Sequence, residues 1–301
     1  MELPENWSIF KAVVIEKIKV YCDSNIWPFQ HEDFISWLAN FNDEREEYLA
    51  LQILDNLIIK SKEMTVAGYS RLLHSEIRQF LVENNLIECN TIDSWKTKLK
   101  NGGLNKFIRF SPVKTDSDQG ESGSFIYRTL SSELDTNRYS LSGKNSEHAQ
   151  TIILVDDFLG SGDQFIDDFA PQFKMNEKLK RYIIIYSPLI AHKSGIERVL
   201  SKYPQINIIP SEVVSQDDSL FSNKNSNFFK NDSINSVDEA KTFYMGMREK
   251  YSPNNLYWLG YKDACLPLVF EWGCPNQAPS ILWMFSSRNQ SKWKQLFSRR
   301  A

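Results

Sequence analysis

The sequence predicts an α/β fold with a mainly parallel sheet, preceded by an N-terminal helical region. From residue 7 to about residue 101 the apolar residues recur at helical spacing, whereas later in the chain short β-branched runs alternate with amphipathic segments. Such alternation is typical of right-handed crossovers between parallel strands. We therefore expect a helical region over residues 1–104 and an α/β domain over residues 105–301.

Four apolar stripes predict the helices of the N-terminal region. They lie within residues 10–21, 34–41, 48–58 and 69–81. Because amphipathic stripes usually face a core, they favour helices that shield a sheet or an oligomer face. Binding of a partner is the alternative, although no basic recognition helix of the nucleic-acid-binding kind stands out.

In the second region, short apolar runs predict strands over residues 107–112, where the strand enters a turn, 152–155, 182–188 and 206–210. Helical patterns follow over residues 125–134, 165–173, 194–203 and 239–251. The Asn-, Ser- and Asp-rich residues 215–236 predict an insertion on the surface, and Pro267 limits any strand over residues 266–270 to a short or edge strand. The polar residues 114–124 and 135–150 predict a mobile lid or, equally, plain surface loops.

The most informative stretch lies in the middle of the chain. The apolar run of a buried strand ends at Asp156 and Asp157, and a loop with Gly160 and Gly162 separates this acid pair from a helical pattern that begins at Phe165. That order places the N–H groups of a helix N-terminus beside two carboxylates at the carboxyl end of a strand, where open α/β sheets bind ligands. The alternative is an ordinary βα turn whose acids are solvated and whose glycines only make the bend.

Two common glycine-loop motifs do not fit this stretch. The loop lacks the Gly-Lys-Ser/Thr ending of a Walker loop. It also lacks a third glycine, and the paired acids before it are foreign to a dinucleotide fingerprint.

The stretch resembles the phosphoribosyl-pyrophosphate signature of type I phosphoribosyltransferases, which runs from an apolar strand through two acids to a threonine-glycine loop. The resemblance implies the type I fold, with Asp156 and Asp157 holding the ribose hydroxyls and a Mg²⁺ ion nearby. It also implies that the 5′-phosphate is wrapped by a loop made of Gly160, Ser161, Gly162, Asp163 and Gln164.

Two residues of this loop depart from the signature. Gln164 stands where a hydroxyl residue is usual, and Asp163 puts a negative charge where the phosphate would lie. We expect Asp163 either to oppose phosphate binding or to act as a helix N-cap, with its carboxylate on the N–H groups that a phosphate would use.

The same resemblance implies a pyrophosphate-binding loop after the first strand of the sheet. Arg109, Ser111 and Lys114 fall at about that place. The alternative for Arg109 is a surface residue on a strand edge.

The aromatic-rich C-terminal part adds a second resemblance. Together with the acid pair, it is similar to a phosphoribosyltransferase-like family of bacterial conflict and anti-phage gene clusters, some members of which sit beside retron reverse transcriptases. The similar segments are residues 37–41, 155–162, 260–263, 270–276 and 279–283. The resemblance implies that Lys262, Asp263 and Asn276 contact a base or a partner. The alternative is that these residues make turns while the nearby tryptophans fill a core.

Composition sets the broad class of protein. The net charge of −3 gives no overall reason to expect nucleic acid, yet five basic residues and no acid lie in the last fourteen positions: Arg288, Lys292, Lys294, Arg299 and Arg300. Cysteines and histidines show no zinc spacing, and neither a signal peptide nor a membrane-length apolar run is present. We therefore expect a cytoplasmic protein with reduced, packed thiols and no membrane contact, either monomeric or oligomeric.

Two functions follow as hypotheses. In the first, the protein is a phosphoribosyltransferase-like effector of an anti-phage system that binds phosphoribosyl pyrophosphate or a related nucleotide and transfers or hydrolyses its ribosyl group. In the second, suggested by Asp163 and Gln164, it is a catalytically degenerate nucleotide sensor or structural subunit of a reverse-transcriptase or nucleic-acid complex. The basic C-terminal tail would then contact the nucleic acid.

Overall fold

The computed structural model describes residues 1–89, 91–114, 122–143, 148–225, 227–230, 232–284 and 293–299. By its packing the chain forms two compact units. The split unit combines Met1–Ser61 with Gln216–Arg300, and the continuous unit is Lys62–Ser215. The expected boundary between residues 104 and 105 stays a prediction, while the helices that follow residue 61 pack with the sheet in the continuous unit.

The described helices, in chain order, are α1 (Trp7–Asp23), α2 (His31–Leu38), α3 (Glu44–Asp55), α4 (Lys62–Leu72), α5 (Arg78–Glu83), α6 (Ile92–Lys100), α7 (Ser122–Thr129), α8 (Thr136–Tyr139), α9 (Ala170–Gln172), α10 (Met175–Lys178), α11 (Lys193–Lys202) and α12 (Val237–Tyr251). The strands are β1 (Ile58–Lys60), β2 (Ile108–Pro112), β3 (Thr151–Leu159), β4 (Ile183–His192), β5 (Asn207–Ile208), β6 (Glu212–Val214) and β7 (Leu268–Phe270). Turns of π-helix cover Leu73–Ile77 and Gln164–Phe169.

A parallel sheet forms the centre of the continuous unit. Its described strands lie in the order β2-β3-β4-β5, and β6 also pairs with β4. Every one of these pairs is parallel. Strands β3 and β4 are buried almost throughout, as the near-continuous apolar runs of a sheet covered on both faces require. The predicted α/β fold with a mainly parallel sheet is confirmed.

Strand β3 is longer than its apolar run. The expectation that the strand ends before the acid pair was wrong, because β3 continues through both acids to Leu159. Strand β4 runs beside it over the same length, and Asp156 pairs with Pro188 and Phe158 with Ile190. Strand pairing therefore holds the acid pair inside a rigid element instead of in a loop.

The split unit contains a short parallel pair, in which Ile58 of β1 lies opposite Leu268 of β7. The predicted short strand over residues 266–270 is thus confirmed in part of its range. The assignment of Ile58 to a helical stripe was wrong, since α3 ends at Asp55 and the Ile58 N–H donates to the Pro267 carbonyl at 2.7 Å. A partner some two hundred residues away in the sequence overrides the local apolar spacing.

The Asn- and Ser-rich segment at residues 215–236 is not a surface insertion. Leu220, Phe221, Phe228 and Phe229 are all buried in the core of the split unit. The expectation was wrong because the polar majority of the segment concealed four large apolar residues that the core requires.

Asp232 fastens this segment to the split unit. Its carboxylate accepts hydrogen bonds from the Tyr48 hydroxyl (2.8 Å), the Asn235 side-chain amide (2.7 Å) and the Ile234 N–H (2.7 Å). Burial alone raises the pKa of Asp232, but hydrogen bonds from Asn235, Ile234 and Tyr48 outweigh it and lower this pKa below its usual value.

Asp232→Ala is expected to lower the free energy of unfolding by about 2 kcal/mol at pH 7, because it leaves these donors without their charged acceptor. Since the folded-state pKa is lowered, the stabilisation is complete above the unfolded-state value of about 4 and disappears as the pH falls through the folded-state value. Urea unfolding at pH 7 and pH 3 measures both effects. The control is Asp217→Ala, which removes an exposed pair with Lys224 and should change stability by less than about 0.5 kcal/mol. Equal losses in the two variants would contradict the role of Asp232.

Two expectations from composition bear on the described residues. Cys22, Cys89, Cys265 and Cys274 are buried free thiols, as predicted. Within the described ranges, no helix is both long and apolar enough to cross a bilayer.

Candidate functional site

The candidate site begins with the acid pair near the carboxyl end of β3. The Asp157 side chain is fully buried, and Asp156 is 8% exposed. Because neighbouring residues of a strand point to opposite faces, the two carboxylates leave β3 on opposite sides of the sheet. Each therefore has its own environment.

Tyr186 of β4 fixes the Asp156 carboxylate. The Tyr186 hydroxyl donates to Asp156 Oδ2 at 2.7 Å, while the Asp157 N–H donates to Asp156 Oδ1 at 2.9 Å. Burial and the negative charge of Asp156 raise the pKa of Tyr186 well above its ordinary value, so the phenol keeps its proton and remains a donor. The Tyr186 ring stacks on Phe165 at 4.4 Å, which connects this carboxylate to the helix after the loop.

Tyr69 of α4 fixes the backbone at the same point. Its hydroxyl accepts the Asp156 N–H at 3.0 Å and lies within hydrogen-bond distance of the carbonyls of Asp156 and Ser187, at 2.9 Å from the latter. One buried side chain thus ties β3 to β4 where the acid pair lies. Burial, with a smaller contribution from Asp156, raises the pKa of Tyr69 well above its ordinary value.

Sequence reasoning missed both tyrosines. Tyr186 could have been noticed in the sequence, because this phenol directly follows the aliphatic run Ile183–Ile185 in a strand predicted to be buried, where its hydroxyl needs a partner. Tyr69 carried none, because it fits the apolar stripe of its helix like any core residue.

The glycine loop leads from β3 into the next helix as predicted. Gly162 has a φ of +82°, which L side chains rarely adopt, so the glycine is required by the turn. The Ile166 N–H then donates to the Gly162 carbonyl at 3.0 Å in the first turn of the helix, and Gln164 opens its π-helical part.

Asp163 does not cap this helix. Its backbone is already helical and its side chain makes no capping hydrogen bond, so the expectation of an N-cap was wrong. The carboxylate turns sideways instead. It accepts the Ser161 hydroxyl at 2.8 Å and forms an ion pair with Arg198 of α11 at 2.7 Å. The Arg198 guanidinium, and not the N–H groups of the helix, therefore neutralises the Asp163 carboxylate.

Helix α11 packs directly on the loop. A Cβ on Gly195 would lie 2.1 Å from the Gly160 carbonyl oxygen, and one on Gly162 would lie 3.3 Å from Val199 Cγ2. His192, the N-cap of α11, accepts the Ser194 N–H on its Nδ1 atom at 3.2 Å. Two successive strand-to-helix turns therefore touch at the carboxyl edge of the sheet.

Arg109, Ser111 and Lys114 lie on or just after β2, which pairs with β3. The interpretation of Arg109 as a surface residue was wrong, because its side chain is fully buried and its guanidinium donates to the carbonyls of Arg138 and Ser140, at 3.2 Å to the latter. Ser111 is half-buried and pairs with Leu154, whereas Lys114 is exposed. Their role in pyrophosphate binding stays a prediction.

Lys262, Asp263 and Asn276 belong to the split unit. The Lys262 ammonium lies 5.5 Å from the centre of the Tyr261 ring, and the Asn276 side chain accepts the Arg299 guanidinium at 2.9 Å. The Asn276 carbonyl accepts the Tyr261 N–H at 2.6 Å, so two of the segments that carry the family resemblance meet here. Contact of these residues with a base or partner stays a prediction.

Buried tryptophans connect two further segments of the split unit that carry the family resemblance, residues 37–41 and 279–283. The Trp37 indole donates to the Ile281 carbonyl at 2.9 Å, and Trp258 and Trp283 are buried in the same core. These aromatic residues thus form a structural core.

Part of the predicted lid, residues 115–121, and residues 144–147 of the second polar loop lie outside the described residues. The predicted helix over residues 125–134 is present as α7 and a following 3₁₀ turn.

The donor set of the site suits a magnesium ion that arrives with its ligand. Nowhere in the described ranges do three or more His, Cys, Asp or Glu side chains form a group suited to a metal. Mg²⁺ usually takes one or two carboxylates, keeps several waters and binds substrate phosphates. Asp156, the slightly exposed carboxylate of the pair, fits that pattern, whereas the buried Asp157 on the other side of the sheet fits it only indirectly.

The sheet is parallel, paired acids lie near the carboxyl end of a central strand, and a glycine loop after them opens a helix. This combination is typical of the phosphoribosyltransferase-like class. The family model named PRTase-CE matches residues 34–299, most of the chain, and the protein belongs to that family. This confirms the phosphoribosyltransferase-like resemblance drawn from the acid pair and the aromatic segments. No curated protein matches the sequence significantly.

Proposed function

We propose that the protein binds phosphoribosyl pyrophosphate, or a related nucleotide, together with Mg²⁺ at the acid pair, and transfers or hydrolyses the ribosyl group. The arrangement that carries this proposal is the carboxylate pair Asp156 and Asp157 held in β3 beside the glycine loop. Membership of a phosphoribosyltransferase-like family supports the same ligand class.

The chemistry would depend on electrostatics more than on proton transfer. When a leaving group departs from C1 of the ribose, the sugar gains oxocarbenium character and positive charge. Carboxylates already oriented in a site of low dielectric stabilise such charge without reorganising. Tyr186 and the Asp157 N–H hold Asp156 in this way, so its orientation does not depend on the ligand.

The loop would supply the remote binding energy. Its N–H groups at the start of a helix suit a 5′-phosphate, and the Asp163 carboxylate does not cap them, because it is turned to Arg198 and Ser161. Binding energy from the phosphate can then position C1 for attack. A bound Mg²⁺ would neutralise pyrophosphate charge; Asp156 would hold it, and Asp157, on the other side of the sheet, would act on it only indirectly.

Titration calorimetry with phosphoribosyl pyrophosphate and Mg²⁺ tests the proposal. The Asp156→Asn/Asp157→Asn double variant is expected to lose binding by about 100-fold or more, because it removes both charges. The matched control is Asp167→Asn/Asp168→Asn, which makes the same charge change at exposed positions of the following helix and should bind like the wild type. Absence of binding by the wild type, or equal binding by both double variants, would overturn the proposal.

We further propose that the activity serves anti-phage defence in a bacterial cytoplasm, in some members beside a retron reverse transcriptase, where it consumes a nucleotide pool or modifies a target. The resemblance of five segments along the chain supports this role. Plating of phage on bacteria that express the full gene cluster, with the wild type or with the Asp156/Asp157 variant, tests it. Equal plaque numbers on the two strains would contradict an effector role of the site.

One observation favours the second candidate function, a sensor or structural subunit that binds without turnover. Asp163 puts a carboxylate in the loop that would hold the phosphate, and Gln164 stands where the signature has a hydroxyl residue, so this loop departs from that of an active transferase. Binding of phosphoribosyl pyrophosphate without release of pyrophosphate, in the presence of candidate acceptors, would support the sensor. Release of pyrophosphate that the Asp156/Asp157 variant lacks would support the enzyme.

A further inference from the structure

The glycine loop lacks a positively charged side chain of its own for a phosphate ligand. Residues 160–164 contain one acid and no base, and the acid pair lies a few residues before them. A phosphate dianion in the loop would thus meet the negative charge of Asp163, with Asp156 a few residues before it. Backbone N–H groups offset part of that repulsion, but a cation would be expected nearby.

Helix α11 brings such a cation to the loop. Gly195, Arg198 and Val199 are spaced three and four residues apart, so they lie on one face of the helix. Gly195 and Val199 contact the loop at Gly160 and Gly162, as the close approaches to their backbone show. Arg198 lies between these two contacts, with its Nη2 atom 2.7 Å from Asp163 Oδ1.

The geometry of Arg198 suits a ligand contact better than a purely structural pair. Its side chain is 49% exposed, whereas that of Asp163 is 19% exposed. Guanidinium carries five N–H donors in a planar fork, so one edge can bind a carboxylate while another binds a phosphate. The ion pair with Asp163 therefore holds the Arg198 guanidinium beside the loop and uses only part of its N–H donors.

We propose that Arg198 is the cation that receives the ligand's 5′-phosphate, with Asp163 as its counter-ion and positioning partner in the free protein. This inference rests on the proposed function, since it assigns the phosphate subsite of the same site. It accounts for the acid in the loop: Asp163 orients an arginine supplied from the next helix.

A double-mutant cycle measured with phosphoribosyl pyrophosphate and Mg²⁺ by titration calorimetry tests the inference. Arg198→Gln is expected to weaken binding by about 10- to 100-fold, the usual range for loss of a hydrogen bond to a charged group. Asp163→Asn removes a repulsive charge and also the partner that orients Arg198, so its affinity serves as the reference for the double variant. The double variant is expected to bind more weakly than Asp163→Asn alone, because the phosphate still lacks its arginine.

Controls separate the direct role from an indirect one. Lys202→Gln makes the same charge change one turn further along α11 and should bind like the wild type. Thermal unfolding of each variant checks that the loop variants remain folded. Arg198→Lys keeps the charge but loses the fork, and an affinity between those of the wild type and Arg198→Gln is expected.

If the double variant regains the affinity of Asp163→Asn, then Arg198 only neutralises Asp163 and the direct contact is overturned. If Arg198→Gln binds like the wild type, the inference fails while the proposed function stands. If neither the wild type nor Asp163→Asn binds, the proposed function fails and the phosphate subsite fails with it.

Discussion

Gly195→Ala is expected to lower the free energy of unfolding by about 3 kcal/mol, because the added Cβ would lie 2.1 Å from the Gly160 carbonyl oxygen. The clashing atom belongs to the backbone, so no side chain can rotate away to relieve the contact. Either α11 or the glycine loop must move. Since the loop is the candidate phosphate site, binding of phosphoribosyl pyrophosphate should weaken along with stability.

Chemical unfolding followed by tryptophan fluorescence, together with the calorimetric titration, measures both effects. Gly246→Ala is the matched control: this glycine lies inside α12, and a Cβ there meets nothing within 4 Å. Alanine is the better helix former, so the control should be more stable than the wild type by about 0.5–1 kcal/mol. If Gly195→Ala proved as stable as this control and bound ligand normally, the close packing of α11 on the loop would be refuted.

The contrast between Gly195 and Gly162 shows what local sequence can and cannot reveal. Gly162 was predicted because it stands between an acid pair and a helical pattern, in an order that a strand-to-helix turn requires. Gly195 follows a strand by only three residues but has no motif around it. Its need for glycine arises from Gly160, thirty-five positions earlier, and appears only when α11 folds back onto the loop.

Other parts of the site also differ in how far local sequence reveals them. The strands β3 and β4 could be predicted because buried parallel strands leave long β-branched runs. Tyr69 and Arg198 could not, since their roles depend on contacts with Asp156 and Asp163 that only the tertiary fold brings about. The polar composition of residues 215–236 led to the wrong prediction of a surface insertion, because four apolar residues of this segment are buried in the core.

Phe297→Ala is expected to lower the free energy of unfolding by about 3–4 kcal/mol, as is usual for loss of a buried phenyl ring. Phe297 is buried in the core of the split unit, where its ring packs edge-on against Phe29 at 5.1 Å. Its N–H donates to the Leu282 carbonyl at 2.9 Å, and the neighbouring Leu296 is buried as well. The described part of the basic C-terminal segment is therefore built into the core and is not a free tail.

This placement changes how nucleic-acid binding by the segment must be tested. Removal of residues 288–301 would take away Leu296 and Phe297, so any loss of binding would report damage to the core as much as loss of charge. Lys294→Gln/Arg299→Gln instead changes two exposed charges, and it should alter stability by less than about 1 kcal/mol. Salt-dependent binding to a nucleic acid that this variant weakens would assign the contact to the segment. If Phe297→Ala unfolded at the same urea concentration as the wild type, the segment would not be part of the core and truncation would be a fair test after all.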